Sequence, residues 1–117
     1  MLIIRNEQME ALSEYMVEYF VDEALLHLRT SFAEQIKDVT DADLRALIHT
    51  GIDNAGSYDI TIEEDVMRYL ELMITYGADF DVNPDTEWAE DILNKEDTRG
   101  ADKIMLIDQY IASNLKG

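Results

Sequence analysis

Apolar residues return at three- and four-residue intervals along almost the whole of this chain, and residues that start or stop helices fall between the runs. Side chains at that spacing share one face of an α-helix, so each run predicts an amphipathic helix with one face for a core. The first predicted helix opens at Asn6, a good N-cap, and runs to about Leu28, burying Met9, Leu12, Met16, Tyr19, Phe20 and Leu26. Thr40-Asp41-Ala42-Asp43 resembles a capping box, with Asp where Glu or Gln is usual. It opens a second helix that buries Leu44, Leu47, Ile48, Gly51, Ile52 and Ala55, with Gly56 supplying a positive-φ stop. Thr61 to Glu64 is a full capping box for a third helix, whose face is Val66, Tyr69, Leu70, Met73 and Tyr76 and whose end is Gly77. Asn83-Pro84 caps and starts a short fourth helix that buries Ala89, Ile92 and, against the third helix, Trp88. Thr98 caps a fifth, with a narrow stripe of Ile104, Ile107, Ile111 and Leu115. Leu2 to Ile4 reads as a short apolar arm packed back on the bundle. The expected fold class is all-α: one domain over residues 1–117, a bundle of about five helices.

The length of 117 residues is that of one domain, and at 47% hydrophobic the chain can build a core rather than remain disordered. Its 26 acids against 9 bases leave a formal charge of −17, which argues against a basic nucleic-acid face and against docking on anionic lipid. The first sixty residues hold 12 acids and 4 bases and the remainder 14 and 5, so the excess belongs to a folded surface and not to a tail. No apolar run approaches the ~18–20 residues of a membrane helix. Met1-Leu2-Ile3-Ile4-Arg5 lacks the basic flank and the length of a secretory signal. Together with the absence of cysteine, the expectation is a cytoplasmic protein.

Enzymatic chemistry has little to stand on. Nucleophilic catalysis needs a Ser, Thr or Cys beside an oriented base. The chain has no Cys and no Gly-x-Ser-x-Gly elbow, and its two histidines, His27 and His49, lack the close spacing of a helical zinc site. His27 is expected to be a core histidine of the first helix. The glycines are isolated, so there is no phosphate loop. No catalytic residue, cofactor or metal is expected. Asp79 to Glu90 imitates a calcium loop, with oxygen-bearing side chains at positions 1, 3, 5, 7, 9 and 12. Position 6 of that loop needs Gly at positive φ, and Pro84 holds φ near about −65°. The simpler reading is a capped helix start with Asp85 and Glu87 in its first turn.

The solvent side of the first helix is more unusual. Glu10, Glu14, Glu18 and Asp22 follow one another at i,i+4 with no base interleaved. Each like-charge pair costs ~0.2–0.5 kcal/mol, so the stripe is either a solvated face or a landing strip for a basic partner. Glu23 falls on the apolar stripe, so it pairs with a cation of another helix or the stripe rotates there. Tyrosine gives large contact area at small entropy cost, which makes Tyr15, Tyr58 and Tyr110 candidate partner contacts alongside the acidic stripe.

The run Ala42-Asp43-Leu44-Arg45-Ala46-Leu47-Ile48, followed by Gly51-Ile52, Ala55 and Tyr58, resembles a pattern in small bacterial proteins encoded beside type VI secretion genes. So does Glu64 to Met73, continuing through Gly77, Asp79-Phe80-Asp81, Trp88-Ala89 and Ile92-Leu93. The likeness spans about Glu7 to Leu93 and rests mostly on core and capping residues. Where the family pattern places Gly after the loop tyrosine, this chain has Asp59. The resemblance implies a helical, non-enzymatic accessory factor, an adaptor or co-chaperone that helps load a toxin. Its partner would be a protein: toxin, chaperone or spike component. The alternative implied by the charge is an immunity protein that plugs a basic toxin. A calcium-responsive or enzymatic module is a third, weaker reading.

Overall fold

The computed structural model describes residues 13–115, so the Leu2–Ile4 arm and the expected helix start at Asn6 lie outside the described residues. Those residues form five α-helices: α1 (Ser13–Ser31), α2 (Asp41–Ser57), α3 (Glu63–Tyr76), α4 (Glu87–Leu93) and α5 (Gly100–Tyr110). A 3₁₀ turn over Pro84–Thr86 leads into α4, and a wider π-helical turn over Ile111–Leu115 continues α5. The all-α expectation holds. The central element is α3, which packs on α1, α2 and α5, while α4 lies on α5. Among the described residues no helix is long and apolar enough to cross a membrane.

The second helix forms as its sequence dictates. Thr40 is its N-cap, and the Asp43 N–H donates to the Thr40 hydroxyl. Leu44, Ile48, Gly51, Ile52 and Ala55 are buried, with Leu47 at the rim. Gly56 is not the stop: the helix continues to Ser57, and the positive φ (66°) falls to Asp59 instead. The capping box expected at Thr61 and the N-cap expected at Thr98 are not formed. Ile62 is the N-cap of α3 and Arg99 that of α5, and neither end has a side-chain cap. Each threonine lies one residue too early. Gly77 does end α3, at φ 114°. Asn83 caps its turn by accepting from the Asp85 N–H.

The first helix departs most from expectation. Its core stripe is Val17, Phe20, Val21, Ala24 and Leu28, while Met16, Tyr19 and Leu26 point outward. Burying the stripe around Tyr19 would take Glu23 with it, and an unpaired buried carboxylate costs several kcal/mol. The alternative stripe carries no charge, and Ala24 lets the neighbouring helix approach closely. The rotation leaves Glu23 exposed. His27 is likewise not a core histidine: it is half-exposed, and its Nε2 meets Glu71 at 2.7 Å.

Between α3 and α4 the chain folds onto the core. Phe80 is fully buried against Tyr69, and the Thr86 hydroxyl donates to the Phe80 carbonyl at 2.6 Å. Trp88, expected to be buried on α3, is half-buried between Tyr76 and Tyr110 and stacks on Tyr110 at 4.8 Å. Of the last expected stripe, Ile104, Ile107 and Ile111 are buried and Leu115 is exposed.

Candidate protein-docking face

Four of the nine bases join parts of the fold. Arg29 donates to the carbonyls of Ile36 and Val39 and pairs with Asp41, tying the end of α1 to the start of α2. Arg68 on α3 reaches Asp108 on α5 at 2.8 Å and Glu71 at 3.1 Å. Glu71 also meets His27, so one chain of contacts links α1, α3 and α5. Lys103 is buried and donates to the Tyr58 carbonyl at 3.0 Å. Single exposed pairs contribute ~0–1 kcal/mol, so the connected ones matter more than their number.

The structure separates the residues singled out from sequence. Glu10 lies outside the described residues, and Glu14 is in the first turn of α1. Glu18 and Asp22 are not without bases: Arg45 of α2 pairs with Asp22 and lies 3.8 Å from Glu18, and His49 of α2 lies 3.1 Å from Glu18. Tyr58 is half-buried, and its hydroxyl donates to the buried Asp81 at 2.8 Å. Burial and that carboxylate push the Tyr58 phenol well above the ordinary tyrosine range. Tyr110 stacks on Trp88. Tyr15 alone of the three tyrosines stands clear, at 82% exposure.

Tyr15 has company that helical periodicity alone assigns to the core. Tyr19 is 62% and Leu26 69% exposed, and Met16 is partly exposed beside them. At ~100° per residue Tyr15, Tyr19 and Leu26 fall within ~40° of one another, about opposite the core stripe. This makes α1 a helix with two apolar faces, one of them unburied. An amphipathic surface helix normally carries polar residues there. The available signal in sequence was the alternation itself, since Val17, Val21, Ala24 and Leu28 already fill a charge-free core stripe.

On the α2 side this face is bordered by Glu18 and Asp22 with their cations. On the α3 side it is bordered by Glu23, beside Glu63 at the start of α3. No described cation lies within ion-pair distance of Glu23 or Glu63. A groove of about 650 Å³ runs on from there between α1 and α3, lined by Phe20, His27, Glu63, Glu64, Met67, Arg68 and Glu71. Burial, and then the nearby Glu23 charge, push the Glu63 carboxyl above its ordinary 4.5 despite its place at a helix N-terminus. A carboxyl raised on folding contributes stability below its unfolded pKa and loses it as pH rises through the folded one. Glu63→Gln should therefore raise Tm modestly at pH 7, with the gain vanishing well below pH 4.5. Calorimetry at the two pH values checks this, and a lower Tm at pH 7 would contradict it.

The mimic of a calcium loop is organised by other contacts. Asp81 turns inward to Tyr58, and Asp79 accepts from the Asn83 amide at 3.3 Å. Among the described residues no group of three or more His, Asp or Glu side chains is placed to hold a metal ion. No family model, curated protein or solved structure matches this chain.

Proposed function

We infer that this chain is a non-enzymatic protein-binding accessory factor, an adaptor or co-chaperone of a bacterial type VI secretion toxin cluster. The observation that carries the binding role is the second apolar stripe of α1. Tyr15, Tyr19 and Leu26 lie exposed together on a chain of net charge −17, whose acidity otherwise keeps its surface hydrated. The secretion-cluster setting rests on the likeness of the α2 and α3 sequences to that family. The non-enzymatic role is supported by both histidines facing glutamates and not hydroxyl nucleophiles. The alternative, an immunity protein, is favoured by the charge, which speeds encounter with a basic toxin and masks its active site.

The test is co-expression of the tagged chain with each protein encoded beside its gene. One neighbour should co-purify stoichiometrically and be lost with Tyr15→Ser/Tyr19→Ser/Leu26→Ser. An adaptor leaves a toxic neighbour toxic when co-expressed, whereas an immunity protein abolishes the toxicity. If no neighbour is captured, or capture persists in the triple variant, the reading fails.

A further inference from the structure

We propose that the outer face of α1 takes an amphipathic helix with lysine or arginine beside its apolar stripe. This rests on the protein-binding reading above and names the chemistry of the partner at the same face. Tyr15 to Leu26 spans about three turns, ~16 Å, and presents anchors one, two and three turns apart on one line. That spacing matches a helix laid lengthwise, whose own anchors recur at i, i+4 and i+7.

Charge complementarity selects the occupant. The two rims of the stripe differ. Glu18 and Asp22 already pair with or lie close to Arg45 and His49, whereas among the described residues no ion pair is formed by Glu23 or Glu63, Arg68 and His27 of the groove being engaged by Glu71 and Asp108. An incoming base therefore gains most on the α3 side. The adjoining groove gives it depth, because Phe20 and Met67 line the groove together with Glu63 and Glu64. An aliphatic stem can lie along the apolar part and present its charged head to the acids. A second copy of this chain fits poorly, since it brings another −17 and the same acidic rim.

The test measures anisotropy of a labelled synthetic helix of about fourteen residues, Leu and Lys at helical spacing, against a matched Leu and Glu helix. The intact chain should bind the Leu/Lys helix saturably and the Leu/Glu helix not at all. Tyr19→Ser/Leu26→Ser, which keeps every acid, should weaken binding about tenfold or more, as loss of central anchors does. Glu23→Gln/Glu63→Gln should do the same, while Glu18→Gln/Asp22→Asn should change it less than about threefold, since those acids already have partners. Undiminished binding in Tyr19→Ser/Leu26→Ser would reduce the effect to bulk charge and overturn the proposal. Equal losses from both rims, or no saturable binding, would overturn it too. Self-association lost in the same apolar variant would identify a second copy as the occupant instead. Tighter peptide binding by Leu2→Ser/Ile4→Ser would identify the chain's own N-terminal segment. If a neighbour is captured through Tyr15, Tyr19 and Leu26 yet the Leu/Lys helix is not, this inference fails and the functional reading stands.

Discussion

Gly100→Ala should destabilise the fold by ~3 kcal/mol or more, at the upper end of overpacking effects. Gly100 is buried at the first position of α5, directly against the link between α2 and α3. A Cβ there would collide with the Asp59 carbonyl and lie 2.8 Å from the Ile60 Cα. These are main-chain atoms, and they are held in place. Asp59 occupies a left-handed turn at φ 66°, the Ile60 N–H donates to Ala55, and the Tyr58 carbonyl accepts from Lys103. Gly51→Ala is the informative contrast. Its Cβ would meet the Leu70 Cδ2 and Met73 Sδ, the ends of side chains that can turn aside. The ~1 kcal/mol gained by removing glycine from a helix interior offsets part of that crowding. Urea denaturation of both variants at unchanged m-value should show a large loss for the first and a small change for the second. Equal effects would mean that α5 does not sit on Asp59.

The second large effect is expected at Tyr69, at the centre of the molecule. Its side chain is fully buried between Tyr58 and Phe80, 6.4 Å and 5.0 Å away between ring centroids. Tyr69→Ala should cost ~3–5 kcal/mol, as large aromatic deletions in cores do. Tyr69→Phe should be neutral or stabilise by ~1 kcal/mol, because the hydroxyl has no hydrogen-bond partner among the described residues and a buried unmet donor is costly. Burial also drives its phenol well above the ordinary range, with the Asp81 charge acting in the same direction. A loss of more than ~1 kcal/mol in Tyr69→Phe would show that the hydroxyl is satisfied and does structural work.

Local signals in the sequence were legible where local chemistry decides the outcome. Thr40 caps α2 through its own side chain, Gly77 stops α3 at a φ that other residues avoid, and Asn83-Pro84 presets a turn. Thr61 and Thr98 mislead because local sequence signals place a helix start only to within a few residues. The face of α2 reads correctly because only one apolar stripe exists there. The face of α1 does not, because two stripes compete on one helix and only packing against α2 and α3 selects between them. The same limit hid the partners of the acids. Arg45 lies 23 residues from Asp22, and Arg68 lies 40 from Asp108, distances at which spacing carries no information. The exposed apolar face of α1 is therefore half-legible: Tyr15 stands out as a candidate contact, while helical periodicity places Tyr19 and Leu26 in the core.

Whether that second stripe belongs to a partner and not to the core is decided by the melting temperature of Tyr15→Ser/Tyr19→Ser/Leu26→Ser measured alone. Surface substitutions stay within ~0.5 kcal/mol each, about 1.5 kcal/mol for the three, so Tm should remain within ~6 °C of the unsubstituted chain. A fall of ~10 °C or more would mean that these side chains are buried in the free protein, and the account of α1 as a two-faced docking helix would be wrong.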